Sequence, residues 1–186
     1  MIAIVGKMGT GKSSIKKYIL NHPEFGISNI QEVTTRPKRE GETINDYLFL
    51  SDDQYIKLES HGKIFDTRCY ETKFGTYKWG VMKESVKHSK NKIMILSYES
   101  FLNFKKQRIS FTSYFIDVDI ESIIKKTEER GDLKSEILRR LGEDDLKYES
   151  IKRDCDMIIE NYQYRLSIEE ISEIIISNYQ KKKDTR

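Results

Sequence analysis

Residues Gly6 to Ser13 read Gly-Lys-Met-Gly-Thr-Gly-Lys-Ser, which satisfies G-x-x-x-x-G-K-[ST] in full. This loop constrains its flanks, because it is believable only between a buried strand and the start of a helix. The run Ile2–Val5 is short, apolar and β-branched and ends at Gly6, so it predicts the strand. Ile15, Tyr18 and Ile19 recur at helical spacing, so a helix is expected to open at Lys12–Ser13. The glycines let successive backbone N–H groups turn inward around an anion, and the helix N-terminus adds partial positive charge. Gly6, Lys7, Met8, Gly9, Thr10, Gly11, Lys12, Ser13 and Ser14 are therefore the candidate residues for the phosphates of ATP. Lys12 would reach the β- and γ-phosphates, and the Ser13 hydroxyl would hold Mg²⁺.

A chain of 186 residues has room for one α/β domain with insertions. Charged residues make up 34% of it and apolar ones 37%, and no apolar run approaches the length of a membrane span. Nothing at the N-terminus resembles a cleaved leader, so a cytoplasmic setting without membrane attachment is expected. The net charge of +3 is small enough to serve phosphate substrates without nucleic acid. Cys69 and Cys155 lack metal-ligand spacing and read as ordinary thiols in a reducing compartment. His22, His61 and His88 sit among polar residues and read as surface histidines.

Short apolar runs at Ile93–Leu96, Tyr114–Val118 and Met157–Ile159 alternate with helical patterns, the last of them Ile168–Tyr179. That rhythm predicts a parallel sheet covered on both faces. It breaks twice. Between Val33 and Gly80 the sequence predicts a strand over Tyr47–Leu50 and a helix over Ser51–Ser60, opened by a Ser51/Gln54 capping box. The second break, Glu128–Glu143, is dense in charge and holds Gly131 and Gly142. Both breaks carry arginines. Pro37 disfavours helix around Arg36, and a loop there could aim the forks of Arg36 and Arg39 at one anion. Phosphoryl transfer calls for such apparatus, since its catalysis is mostly positioning and charge neutralisation.

The string Thr34-Thr35-Arg36-Pro37-Lys38-Arg39-Glu40-Gly41-Glu42, followed by Asp46-Tyr47-Leu48-Phe49-Leu50-Ser51, resembles the guanylate kinase family. The likeness continues through Lys73-Phe74-Gly75-Thr76 and Glu129-Arg130-Gly131 to Asn161. It implies a P-loop α/β fold of three layers: a core (1–32, 81–127 and 144–186), a nucleoside-monophosphate-binding insert (33–80) and a lid (128–143). The implied reaction is transfer of the γ-phosphoryl group of ATP to GMP or dGMP, with Mg²⁺. By the same resemblance Arg36, Arg39, Tyr47, Phe74 and Thr76 would bind the GMP side, Phe74 standing where tyrosine is usual. Asp66 and Glu99 match the two acids that accept from guanine N1–H and N2. Arg130 and Arg140 match the arginines that neutralise the transferring phosphoryl, and with Lys12 and Arg36 they form the implied catalytic set. Lys126, Arg130 and Asn161 match residues on the ATP side.

Three departures bear on substrate and metal. Glu32 stands where the family commonly has a serine that donates to guanine O6, and an ionised carboxylate cannot donate; Thr34 or Thr35 would have to take over, or the base differs. Asp66 and Glu99 each have the other's usual length. Ser97 stands where an aspartate often helps order the metal's water shell. Two other function classes remain beside the GMP kinase: a P-loop kinase of the same fold for another monophosphate, and a non-catalytic interaction module. The complete loop argues against the module. Oligomeric state is not legible in the mixed polar surfaces of the helices.

Overall fold

The computed structural model describes residues 1–39, 42–44, 46–72 and 75–184. In chain order the elements are β1 (Ile2–Val5), α1 (Lys12–Leu20), β2 (Ser28–Asn29), β3 (Glu32–Thr34), β4 (Leu48–Phe49), α2 (Asp52–Ser60), β5 (Ile64–Thr72), β6 (Gly75–Met82), α3 (Lys83–Lys87), β7 (Lys92–Ile95), α4 (Tyr98–Lys106), β8 (Thr112–Asp117), α5 (Ile120–Glu129), α6 (Lys134–Lys152), β9 (Met157–Glu160) and α7 (Ile168–Asp184). They form two compact units, one from 1–27 and 93–186, the other from 28–92.

In the first unit β7, β1, β8 and β9 lie side by side, all parallel, with Ile2 opposite Ile93 and Thr112, and Ile116 opposite Ile159. Every residue of β1 is fully buried, as a parallel strand covered on both faces requires. Ile15 and Ile19 of α1 join Ile171, Ile175 and Tyr179 of α7 in the core, and Ile123, Ile137 and Leu141 from α5 and α6 belong to the same cluster. Burying a side chain of that size is worth about 1.5–3 kcal/mol. Ser97 caps α4 by accepting from the Ser100 N–H at 3.2 Å, and Asp119 caps α5 by accepting from the Ser122 N–H at 2.9 Å. The two glycines of the second break behave differently. Gly131 turns the chain at φ 92°, whereas Gly142 sits inside the continuous helix α6, so residue 143 is mid-helix.

In the second unit the strand order is β4-β3-β6-β5, with β3 and β4 parallel and the other pairs antiparallel. Helix α2 carries the expected reciprocal Ser51/Gln54 capping box. Its fully buried Tyr55 donates to the Trp79 carbonyl at 2.7 Å. A Cβ on Gly80 would lie 2.3 Å from Ile64 Cγ2 and 2.8 Å from the Tyr55 hydroxyl, so this face of β6 packs tightly against α2. The β5–β6 register slips between Phe65 and Arg68, and Asp66 within that bulge has φ 58°.

His61 and His88 are exposed, but His22 is half-buried, stacked between Tyr18 and Phe25 at centroid distances of 4.0 and 5.5 Å. Both cysteines are free thiols. Among the described residues no helix is long and apolar enough to cross a membrane.

Candidate active site

The loop between β1 and α1 has the geometry of an anion nest. Gly6, Gly9 and Gly11 have φ of 145°, 74° and 89°. A Cβ on Gly6 would lie 2.6 Å from the Ile116 carbonyl oxygen, and one on Gly9 would lie 2.8 Å from Ile123 Cγ2, so side chains are excluded at both. Lys12 folds back over the loop, donating to the Lys7 carbonyl and lying 3.5 Å from Thr10 Oγ1. Its ammonium is enclosed although the side chain as a whole is half-buried, and this desolvation lowers its pKa from 10.5 to about 8, with Asp144 pulling the other way. The first turn of α1, with Ser13 and Ser14 exposed, contains no acidic residue to offset the helix dipole.

Helix α6 supplies the anions instead. Asp144 Oδ2 accepts from the Met8 N–H at 3.2 Å, and Lys7 is held by Asp145 at 2.5 Å and Glu149 at 3.4 Å. Burial raises the pKa of Asp144 while the Met8 N–H and Lys12 act to lower it. The Tyr164 hydroxyl donates to the Gly9 carbonyl at 2.9 Å. In a planar trans peptide C=O and N–H point in opposite directions, so this bond turns the Thr10 N–H to the other side. Lys126 lies 3.9 Å from the centroid of the Tyr164 ring, and burial pushes the phenol up to about 12. Gln163 and Tyr164 both have positive φ, 57° and 51°, and the Gln163 N–H donates to Asp119 Oδ2 at 2.8 Å. Lys126 and Tyr164 also line an open cleft with Ser122, Lys125, Glu129 and Gln163. Asn161 is buried, its amide bonded to both backbone polar groups of Leu166. Arg130 pairs with Asp132, Arg140 donates to Glu136 at 2.7 Å, and Arg139 bonds both Glu136 and Glu143. These pairs are exposed, and each is worth little. Glu99, in the first turn of α4, accepts from Ser97 and from Lys147 on α6 at 3.2 and 3.3 Å.

In the second unit Arg36 is nearly buried. Its Nη1 donates to Glu42 Oε2 at 3.0 Å and to the Pro37 carbonyl at 2.7 Å, and its Nη2 donates to Glu42 Oε1 at 2.7 Å. The end of the fork is thus spent on Glu42, and the Nε–Nη2 edge is the one turned to other business. The Arg39 backbone N–H donates to Glu42 at 2.7 Å while its side chain is exposed. The rings of Tyr47 and Phe49 flank Arg36 at 5.7 and 5.9 Å. Tyr47 is held well above the usual phenol range by burial, with Glu32 adding to the effect and Arg36 opposing it. Asp66 accepts from Arg68 Nη2 with both oxygens, at 2.8 and 2.9 Å. Thr76 is exposed on β6, and Phe74 lies outside the described residues. Of the two threonines expected to supply the donor missing at Glu32, Thr35 accepts from the Lys78 N–H at 3.0 Å, while Thr34 is already spent. Its hydroxyl proton goes to the Lys78 carbonyl at 2.9 Å and its oxygen accepts from the Arg36 N–H.

The profile of the guanylate kinase family matches residues 1–178. The chain belongs to the guanylate kinase family. Curated guanylate kinases of Mycoplasma genitalium and Mycoplasmopsis pulmonis are 24% and 28% identical to it, covering 96% and 95% of this chain and 76% and 93% of their own. The crystal structure of guanylate kinase from Anaplasma phagocytophilum superposes with a TM-score of 0.66 at 18% identity, over 98% of this chain and 85% of that one, and so shares the fold.

A guanylate kinase of this build offers Mg²⁺ hard oxygen donors at the ends of two adjoining parallel strands. β1 leads into the loop that ends at Ser13, and β7 leads to Ser97, with the Leu96 N–H donating to the Ile4 carbonyl. No cluster of three or more acidic, histidine or cysteine side chains suits a metal among the described residues. That donor set fits an ion that keeps its waters and leans on substrate phosphates. Sequence reading missed Asp144, Glu42, Tyr164 and Arg68. Glu42 stood inside the quoted motif, and Asp144 follows Arg140 by one helical turn, i to i+4, which was the available signal.

Proposed function

We propose that this chain transfers the γ-phosphoryl group of ATP to GMP or dGMP, in line, giving ADP and GDP or dGDP. The observation that carries the reading is the fully formed phosphate loop, with three glycines at positive φ and the Lys12 ammonium enclosed over it. An interaction module would not need a buried cation whose desolvation costs stability. In this reading an oxygen of the acceptor phosphate attacks the γ-phosphorus as the bond to the ADP oxygen breaks. Lys12 and the loop amides of residues 6–14 hold the donor phosphates and follow the developing charge. The Ser13 hydroxyl would hold Mg²⁺, which would supply charge neutralisation to the donor phosphates. The Nε–Nη2 edge of Arg36, with Arg39 and Tyr47, holds the acceptor phosphate, and Thr76 with the undescribed Phe74 completes that side. Asp66 and Glu99 accept from the base. Arg130 and Arg140 exchange their carboxylates for phosphoryl oxygens, and Lys126 and Asn161 serve the ATP side. Residues 33–80 act as the monophosphate-binding insert and 128–143 as the lid.

A second reading, the same transfer to another monophosphate, rests on Glu32, an acceptor where guanine O6 needs a donor. Steady-state ADP release with GMP, dGMP, AMP, CMP and UMP at matched concentration separates the two. The guanine nucleotides are expected to lead by at least about tenfold, since one buried unpaired polar group costs about 1–3 kcal/mol. AMP or CMP turning over faster than both would end the guanine reading and leave the kinase.

A further inference from the structure

We propose that Arg68 is a specificity-determining residue of the acceptor site, donating to O6 and N7 of the base whose N1–H and N2 amine Asp66 accepts. The inference rests on the guanine reading above and adds the donor that reading lacks.

Gly80 packs against Tyr55 and Ile64, so its side of β6 faces α2. Trp79, the next residue, points to the opposite face by strand alternation, and Arg68 is its cross-strand partner. Thr34 pairs with Trp79 on the other side, and Glu32, two residues earlier, shares its face. Thr67 hydrogen bonds the Tyr55 phenol on the α2 face, which leaves Asp66 and Arg68 together on the face away from α2. The bulge and the positive φ of Asp66 bring this about, by inserting a residue so that two ionic side chains stand side by side.

Both features cost folding free energy. A positive φ at a non-glycine residue is strained, and an enclosed ion pair seldom repays its desolvation. Side-chain exposure is 6% for Asp66 and 14% for Arg68. A strand needs neither, and their coincidence points to use. Along the guanine rim N2–H₂, N1–H, O6 and N7 follow in order, two donors and then two acceptors. A carboxylate beside a guanidinium presents the complementary order, and arginine to O6 and N7 is a favoured pairing. The other candidates on this face are unsuited. Glu32 only accepts when ionised, and Thr34 has given its proton to the Lys78 carbonyl.

The test uses three nucleotides: GMP, IMP, which keeps O6 but lacks the amine, and 2-aminopurine riboside monophosphate, which keeps the amine but lacks O6. Arg68→Met should lower kcat/KM for GMP and IMP by about 10- to 100-fold, and by several-fold less for the 2-aminopurine nucleotide, which has no N1–H and keeps only N7 of the two acceptors. Arg68→Lys, which keeps a cation beside Asp66, should recover part of the loss but not the two-pronged contact. Wild type should bind 7-deaza-GMP about tenfold more weakly than GMP in calorimetry, a readout independent of whether the variants fold. Equal losses on all three substrates, or undiminished discrimination by Arg68→Met, overturn the assignment. So does equal wild-type affinity for GMP and its 7-deaza analogue. Those outcomes differ from failure of the guanine reading, which would show as wild type preferring AMP or CMP.

Discussion

Replacing Lys12 by methionine should abolish turnover and make the folded protein more stable. The ammonium is enclosed, and its fall from the ordinary 10.5 to about 8 is caused first by desolvation. At about 1.36 kcal/mol for each tenfold change, the charged form carries a penalty of about 3 kcal/mol in the folded chain. Methionine keeps most of the volume and removes the charge. It also forfeits the bond to the Lys7 carbonyl, worth about 1 kcal/mol, the attraction to Asp144 being already contained in the net shift. The expected net gain at pH 7 is therefore roughly 1–2 kcal/mol, a rise in midpoint of several degrees. The sign of the pH dependence follows from linkage. Below about pH 8 the lysine is charged whether folded or not, and the penalty is complete. Between about 8 and 10.5 the folded chain has shed a proton that the unfolded chain still holds, so wild-type stability recovers as pH rises. Thermal unfolding of both proteins at pH 7, 9 and 10.5 should show the advantage of the variant shrinking toward zero. A variant less stable than wild type at pH 7, or an advantage that does not shrink, would refute the claim that the loop stores a desolvated charge.

On the acceptor side, Arg36→Ala should weaken GMP binding strongly and leave ATP binding nearly unchanged in calorimetry. Glu42→Ala should weaken GMP about tenfold, since the carboxylate holds the fork so that its Nε–Nη2 edge is aimed; tighter GMP binding would instead make Glu42 a competitor. Tyr164→Phe removes the bond to the Gly9 carbonyl and should weaken ATP binding by roughly fivefold, about 1 kcal/mol, with no effect on GMP. Equal weakening of both substrates would make Tyr164 a general prop of the fold.

The parts of this fold legible in the sequence are those set by local pattern. Ile2–Val5, the loop and the Ser51/Gln54 box each carry their own signal within a few residues, and the structure has all three. Gly142 is carried inside α6 because glycine in a helix costs only about 1 kcal/mol, which burial of Ile137, Leu141 and Tyr148 outweighs. The partners of the candidate site were less legible, because they come from distant sequence. Asp144 meets Met8 across 136 residues and Tyr164 meets Gly9 across 155. The Thr34 hydroxyl shows the same limit: its type suited donation, but its partner on β6 could not be foreseen from β3 alone.

Helix α6 runs without interruption through 19 residues, about 28 Å. Arg139 and Arg140 sit near its first turns, Asp144, Asp145 and Glu149 touch the loop from its middle, and Lys152 at its end grips the buried Asp117 at the tip of β8. One continuous helix therefore holds the arginines, the carboxylates against the loop and the anchor on β8 at fixed spacing. A displacement at any one of these contacts is transmitted to the others, because the helix between them is unbroken.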